Sequence, residues 1–133
     1  HQLGGLYHTP HGLANAIMLP YVLRYLRPAI GAELAALARR VKVGKKGDSE
    51  AVLAQKFLDA IDNMNTLLGI PTTLATLRDE DIPALARAAC CEADTNYPVP
   101  MYMSQAVCEG VIRQALPLAP VPAKRAVRRT KAA

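Results

Sequence analysis

The histidines are the residues in this sequence whose type and spacing could do chemistry, because all three lie within the first eleven positions: His1, His8 and His11. An imidazole changes charge near neutral pH, and its neutral form binds metals. The stretch HTPHG, residues 8–12, ends on a glycine that would let a backbone or a substrate approach closely. This pattern has two interpretations: a catalytic or metal site, and ordinary surface histidines bonded to local carbonyl groups.

His11 is the best placed of the three to bind a metal. Pro10 suits the first position of a helix, so His11 falls in the first turn, where the helix dipole favours a neutral imidazole. A catalytic metal site usually takes three or more protein ligands, and no carboxylate occurs before Glu33. The proline between His8 and His11 makes joint ligation awkward. If His11 binds a metal, most of the other ligands must come from elsewhere.

Apolar spacing predicts an all-α fold, a small helical bundle, and no segment alternates convincingly at period two. The predicted helices cover residues 10–26 (capped by Thr9 and bent at Pro20), 29–41, 49–68, 77–91 and 104–116. The clearest of them begins at a Ser49 cap, ends at Gly69 and carries an apolar stripe of Leu53, Phe57, Ile61, Met64 and Leu68. The acidic residues of 79–81 are expected in the first turn of the fourth helix, where they complement its dipole.

The charge distribution divides the chain into two parts. Residues 1–116 hold eleven lysines and arginines against eleven acidic residues, so the net charge of +5 arises in residues 117–133. This second part is rich in proline and has little to bury, which predicts a disordered basic tail. Such a tail could give a small helical module affinity for nucleic acid. It has no aromatic residue for base stacking, so we favour a simply disordered or solubilising terminus over a nucleic-acid partner.

Cysteine usage and hydropathy favour a cytoplasmic chain. Cys90, Cys91 and Cys108 are odd in number and form no CxxC motif, which is typical of buried thiols in a reducing compartment. No apolar run reaches the roughly 20 residues that span a bilayer, and the start does not resemble a signal peptide, so we expect no membrane association. The first methionine is Met18, from which we expect the chain to be processed or to be a piece of a longer protein.

The first 25 residues resemble the signature of the iron-containing (group III) alcohol dehydrogenases. His1, the Leu-Gly pair at 3–4, the PHGLANA segment at 10–16 and the Leu-Pro pair at 19–20 stand in the order and spacing of that family. Three later segments, LLGIPTTL (67–74), DEDIPALARAA (79–89) and TNYPVP (95–100), are similar to its later landmarks. The resemblance covers nearly all of residues 1–116.

The resemblance implies the C-terminal helical domain, here residues 1–116, of a two-domain enzyme whose N-terminal domain binds NAD or NADP. In this family one aspartate and three histidines hold Fe²⁺, or sometimes Zn²⁺. The last of these histidines corresponds to His11, and the other ligands would precede His1. His1 corresponds to a histidine near nicotinamide and substrate with a part in proton transfer, and His8 has no assigned role.

The implied reaction is hydride transfer between a small alcohol or aldehyde and the nicotinamide ring. The implied partners are the N-terminal domain, which this chain lacks, and further copies of the enzyme in a homo-oligomer. We therefore expect the chain alone to be inactive. The small helical binding module with a nucleic-acid-binding tail is the alternative function.

Overall fold

The computed structural model describes residues 1–96 and 98–117, and these residues fold into five α-helices with no strand. The helices are α1 (Gln2–Tyr7), α2 (His11–Arg40), α3 (Glu50–Leu67), α4 (Ile82–Asn96) and α5 (Gln105–Arg113), and a 3-10 turn at Asp79–Asp81 precedes α4. The predicted all-α bundle is confirmed. The predicted disordered basic tail lies, apart from Pro117, outside the described residues, so the tail and the boundary at residue 116 stay predictions.

Helix α2 contains a break close to the boundary between the two helices that were predicted. It runs for 30 residues, and its backbone leaves the helical region at Ile30 (φ −120°, ψ 23°), two residues after Pro28. Proline removes a helical hydrogen bond and crowds the preceding turn, which explains a kink close to Pro28. Pro20, where a bend was predicted, is buried inside the helix with helical neighbours. The predicted Thr9 cap is also wrong, because Pro10 precedes the first helical residue and no side chain caps it.

Helix α3 has the start and the end that the sequence predicts. The Ser49 hydroxyl accepts a hydrogen bond from the Val52 amide, which satisfies one of the free N–H groups of the first turn. At the other end Gly69 adopts a left-handed conformation, φ +68°. The amides of Gly69 and Ile70 donate to the carbonyls of Thr66 and Asn65, the pattern of a Schellman motif.

Two groups of buried side chains hold the helices together. Helices α2 and α3 form a hairpin whose buried contacts are Leu34, Ala35, Ala38, Leu53, Ala54 and Leu58. A larger cluster joins α1, the start of α2, α4, α5 and the segment at 74–77, through Leu3, Ala14, Ile17, Leu74, Leu77, Ile82, Leu85, Ala86, Cys108, Ile112 and Ala115. The predicted stripe on α3 is correct only in its first half, because Met64 and Leu68 are exposed.

Helix α1 was not predicted, and its contacts place His1 next to α4. Leu3 is buried in the larger cluster. The Tyr7 hydroxyl donates to Oδ2 of Asp81 at 2.7 Å and accepts from the Arg78 amide at 3.2 Å. This short helix is therefore fixed at one end by packing and at the other by hydrogen bonds.

The last two helices differ slightly from their predicted form. The acidic residues 79–81 form the 3-10 turn and do not belong to the first turn of α4. Helix α5 starts after the Ser104 cap, whose hydroxyl accepts from the Val107 amide, and ends at Arg113. Within the described part of the chain, no helix is both long enough and apolar enough to cross a membrane.

Candidate functional site

A cavity of about 450 Å³ lies between α1, α2, α4 and α5, and we call it the site cavity. Its wall is formed by apolar side chains together with one thiol: Leu3, Met18, Val22, Leu85, Ala89, Met103, Cys108, Val111 and Ile112. The other lining residues are polar: His1, Gln2, His11, Asn15 and Glu92. An apolar pocket with a few convergent polar groups is the usual form of a small-molecule site.

Two of the three histidines meet at this cavity. The rings of His1 and His11 are stacked, with centroids 5.0 Å apart and planes 25° from parallel. His1 precedes α1 and His11 opens α2, so the turn between these helices brings two residues that are ten positions apart into contact. Both side chains are exposed, which leaves the imidazoles accessible to a ligand or to another part of a larger protein.

The two imidazoles have different partners. Nδ1 of His1 contacts Oε1 of Glu92 on α4, and the side-chain amide of Gln2 donates to the other carboxylate oxygen at 2.9 Å. Nε2 of His11 lies 3.0 Å from the Asn15 amide nitrogen, one helical turn along α2. The carboxylate therefore orients His1, and the amide orients His11.

His8 lies apart from the other two histidines. It ends α1 in a left-handed conformation, φ 53°, and lines a separate depression with Thr9, Pro10 and Thr76. That His8 has no catalytic role stays a prediction, and its place outside the site cavity makes His8 a natural control for experiments on His1 and His11.

The side chains present could supply part of the coordination shell of a metal ion, but they could not form a complete site. Among residues 1–96 and 98–117, no group of three or more histidine, cysteine, aspartate or glutamate side chains could hold a metal ion. Three or more protein ligands are usual. His1 is engaged by Glu92, whereas His11 is an exposed imidazole whose neighbour is a neutral amide. These side chains could therefore provide one metal ligand, His11, and the other ligands would have to come from outside these residues.

The three cysteines differ in burial, which corrects the prediction of three buried thiols. Cys108 is buried, Cys90 is partly buried and Cys91 is exposed. Burial, with the neighbouring Cys90 thiol, raises the pKa of Cys108 to about 12. The thiol in the wall of the site cavity is therefore a neutral, apolar group at physiological pH.

Sequence reasoning missed three polar residues of the site, which are Gln2, Asn15 and Glu92. Asn15 could have been found, because residues four apart on a helix share a face. Glu92 gave no local signal, since its contact with His1 spans 91 positions and depends on how α1 packs on α4.

Comparison with known proteins defines the class to which this fold and site belong. A family model described as the C-terminal part of the Fe-containing alcohol dehydrogenase family matches residues 1–116. The chain belongs to this family. The residues matched are those that form the helices and the site cavity.

Individual relatives support the same assignment. Lactaldehyde reductase of Escherichia coli (strain K12) is 43% identical over 98 residues, which are 72% of this chain and 26% of the relative. 1,3-Propanediol dehydrogenase of Klebsiella pneumoniae is 40% identical over 91 residues, 67% of this chain and 24% of the relative. The crystal structure of a 1,3-propanediol oxidoreductase superposes with a TM-score of 0.80 at 34% identity, covering 87% of this chain and 31% of that one. The chain thus spans about a quarter of the length of the curated relatives that it matches.

Proposed function

We propose that this chain is the C-terminal helical part of a metal-dependent, NAD(P)-linked alcohol dehydrogenase, which interconverts alcohols and aldehydes by hydride transfer. The observation that carries the proposal is the stacked pair of His1 and His11 on an apolar cavity, in a chain that belongs to the Fe-containing alcohol dehydrogenase family. The cavity accommodates the carbon chain of the substrate, and the imidazoles lie where its oxygen would react.

His11 would hold the metal, Fe²⁺ or Zn²⁺, as one of several ligands. A bound metal supplies a Lewis acid that favours loss of the alcohol proton. The Asn15 amide limits rotation of the His11 ring, and the position of His11 at the start of α2 ties the ring to a rigid element.

His1 would carry the proton. An ionised carboxylate only accepts hydrogen bonds, so Nδ1 of His1 is the donor to Glu92, and in the neutral ring Nε2 is the unprotonated nitrogen. The unprotonated nitrogen can take up a proton from the alcohol and release it to water. His1 therefore serves as a base held beside the metal ligand.

The remaining parts of the enzyme are proposed on the same basis. NAD or NADP supplies the hydride acceptor and would be bound mainly by an N-terminal domain that these 133 residues do not include. Small alcohols or aldehydes are the substrates, the assembly is a cytoplasmic homo-oligomer, and the chain alone with metal and NAD(P) would give no turnover.

A chimera tests the proposal. Residues 1–116 would replace the matching segment of Escherichia coli lactaldehyde reductase, and the purified protein would be assayed for alcohol-dependent NAD reduction and for metal content. We expect activity with close to one metal per subunit. His11→Ala should lose most of the metal and the activity, whereas His1→Ala should keep the metal and lose at least tenfold in kcat, in line with the usual contribution of a general base.

His8→Ala is the matched control, because His8 lies in the same stretch and outside the site cavity. It should keep both metal and activity. A chimera that unfolds cooperatively on heating yet binds metal equally well with and without His11 would refute the proposed role of His11.

A further inference from the structure

A second cavity of about 220 Å³ lies next to the site cavity, and we call it the distal cavity. It is enclosed by α2, α4 and the segment at 98–103, and the side chains that belong to it alone include Leu26, Ala93, Val99 and Met101. Asp94 is the single charged side chain among the described residues that line it, and it is exposed. The interior of this cavity is therefore apolar.

The two cavities adjoin. Four side chains line both of them: Val22, Ala89, Met103 and Cys108. Val22 and Ala89 are small or medium-sized apolar residues, and Cys108 carries a neutral thiol. Met103 has a flexible side chain that adapts to a ligand. The wall that the two cavities share is therefore apolar, and an apolar ligand would pass from one cavity to the other by displacing the Met103 side chain.

The outer wall of the distal cavity is held in place by hydrogen bonds. The Cys90 thiol donates to the Met103 carbonyl at 3.6 Å, and the Tyr25 hydroxyl donates to the Tyr102 carbonyl at 2.8 Å. These bonds tie the segment at 98–103 to α4 and α2. The cavity is formed before a ligand arrives, which reduces the cost of binding.

We propose that the distal cavity binds the far end of an unbranched aliphatic chain whose oxygen-bearing end lies at His1 and His11. The substrate class is then primary alcohols and aldehydes whose chain is long enough to reach from the two histidines into the distal cavity. A second hydroxyl at the far end would be buried among apolar groups without a hydrogen-bond partner, which disfavours diols that are long enough to reach the distal cavity. This inference rests on the proposed function for the orientation of the ligand, but the binding of the chain can be tested without activity.

The four methionines of the chain provide the test. Met18 lines the site cavity, Met101 the distal cavity and Met103 both, whereas Met64 is exposed on α3, away from both. The full chain labelled at the methionine methyl groups would be titrated with 1-hexanol and, separately, with 1,3-propanediol, and followed by NMR. We expect hexanol to shift Met18, Met103 and Met101 but not Met64, and propanediol to leave Met101 unchanged.

Affinity should also increase with chain length. From 1-butanol to 1-hexanol the dissociation constant should fall about fourfold for each methylene that enters the cavity. Ala93→Leu fills the distal cavity and should abolish the Met101 shift while the Met18 shift remains. Ala84→Leu, on an exposed face of the same helix, is the matched control and should change neither.

The titration of the wild-type chain tests binding in the distal cavity even if Ala93→Leu does not fold. An unshifted Met101 at saturating hexanol, or equal shifts at Met64 and Met101, would overturn the proposal. A chimera without activity would leave these titrations unaffected, so failure of the distal cavity and failure of the proposed dehydrogenase function are distinguishable.

Discussion

The two imidazoles of the site have neighbours that differ in charge, and the different roles that we propose for them follow from this. Glu92 is ionisable and contacts His1, whereas the Asn15 amide beside His11 is neutral. A carboxylate that holds a histidine nitrogen fixes the tautomer of the ring and leaves the other nitrogen basic. A metal ligand instead needs a free lone pair in a fixed direction. The Asn15 amide nitrogen can only donate, so in this arrangement it occupies the lone pair of Nε2 of His11, and binding of a metal at that nitrogen would require the amide to turn away.

At the residue scale, the thiols should react in the order of their exposure. At pH 8 the raised pKa of Cys108, about 12 against an ordinary 9.0, lowers its thiolate population about a thousandfold. We predict that brief treatment with iodoacetamide modifies the exposed Cys91 first and Cys108 only after unfolding. Peptide mass spectrometry before and after urea treatment would measure this, and rapid modification of Cys108 in the folded chain would contradict the burial described here.

The hydrogen bond between Tyr7 and Asp81 should make stability depend on pH in the acid range. The Tyr7 hydroxyl, followed by the Arg78 guanidinium, lowers the pKa of Asp81 below its ordinary 3.8. A lowered pKa in the folded state contributes stability that is present above pH 3.8 and is lost as the pH falls through the lowered value. Tyr7→Phe should therefore reduce the free energy of unfolding at pH 6 and have a smaller effect below the lowered pKa.

Urea unfolding at pH 6 and at an acidic pH well below 3.8 would measure this difference. The control is Tyr102→Phe at an exposed position, which should leave stability nearly unchanged at both pH values. An equal loss from Tyr7→Phe at both pH values would mean that the phenol contributes by packing alone.

Individual site residues could be predicted from the sequence only where they lie in one local motif. His11 was proposed from its place in the PHG stretch and, together with His1, from the resemblance to the family, and the structure brings both to one cavity. Glu92 and the apolar wall come from α4 and α5, which are distant in sequence. These helices are brought to the histidines by tertiary packing, and a local sequence pattern carries no information about that packing.

At the scale of elements, α2 shows why boundaries were harder to predict than helices. Prolines at 20 and 28 both weaken a helix locally, but Pro20 is buried with helical neighbours on both sides, and the break occurs at Ile30, two residues after Pro28. The ends of α3 were predicted correctly because Ser49 and Gly69 act locally, through side-chain capping and a left-handed turn. Helix α1 was missed because six residues are too short for a periodic pattern.

The packing of α2 on α3 leads to a prediction about stability. Leu58 is almost completely buried against Leu34 and Ala54, so Leu58→Ala should lower the free energy of unfolding by about 2–5 kcal/mol. Leu67, on the same helix, is 87% exposed, and Leu67→Ala should change it by less than about 0.5 kcal/mol. Chemical denaturation of both variants would show the difference, and similar losses would argue against this face of α3 as the core.

At the scale of the whole molecule, the chain supplies an apolar cavity and two oriented imidazoles to the metal site that we propose. The chain spans about a quarter of the length of the first two relatives compared above. Among its described residues no group of three or more candidate ligands could hold a metal ion, so the proposed site would need ligands from outside them. The alternative of a nucleic-acid-binding tail stays a prediction, because residues 118–133 lie outside the described part.

The central claim is that the ring of His11 completes the coordination of a catalytic metal. The most direct measurement is anomalous X-ray scattering, at the iron or zinc edge, from crystals of the active chimera. We expect a single metal peak about 2.0–2.2 Å from a ring nitrogen of His11. His1 should lie next to His11 without being bonded to the metal. A metal peak beyond bonding distance of His11, with its ring directed away from the cavity, would contradict the account.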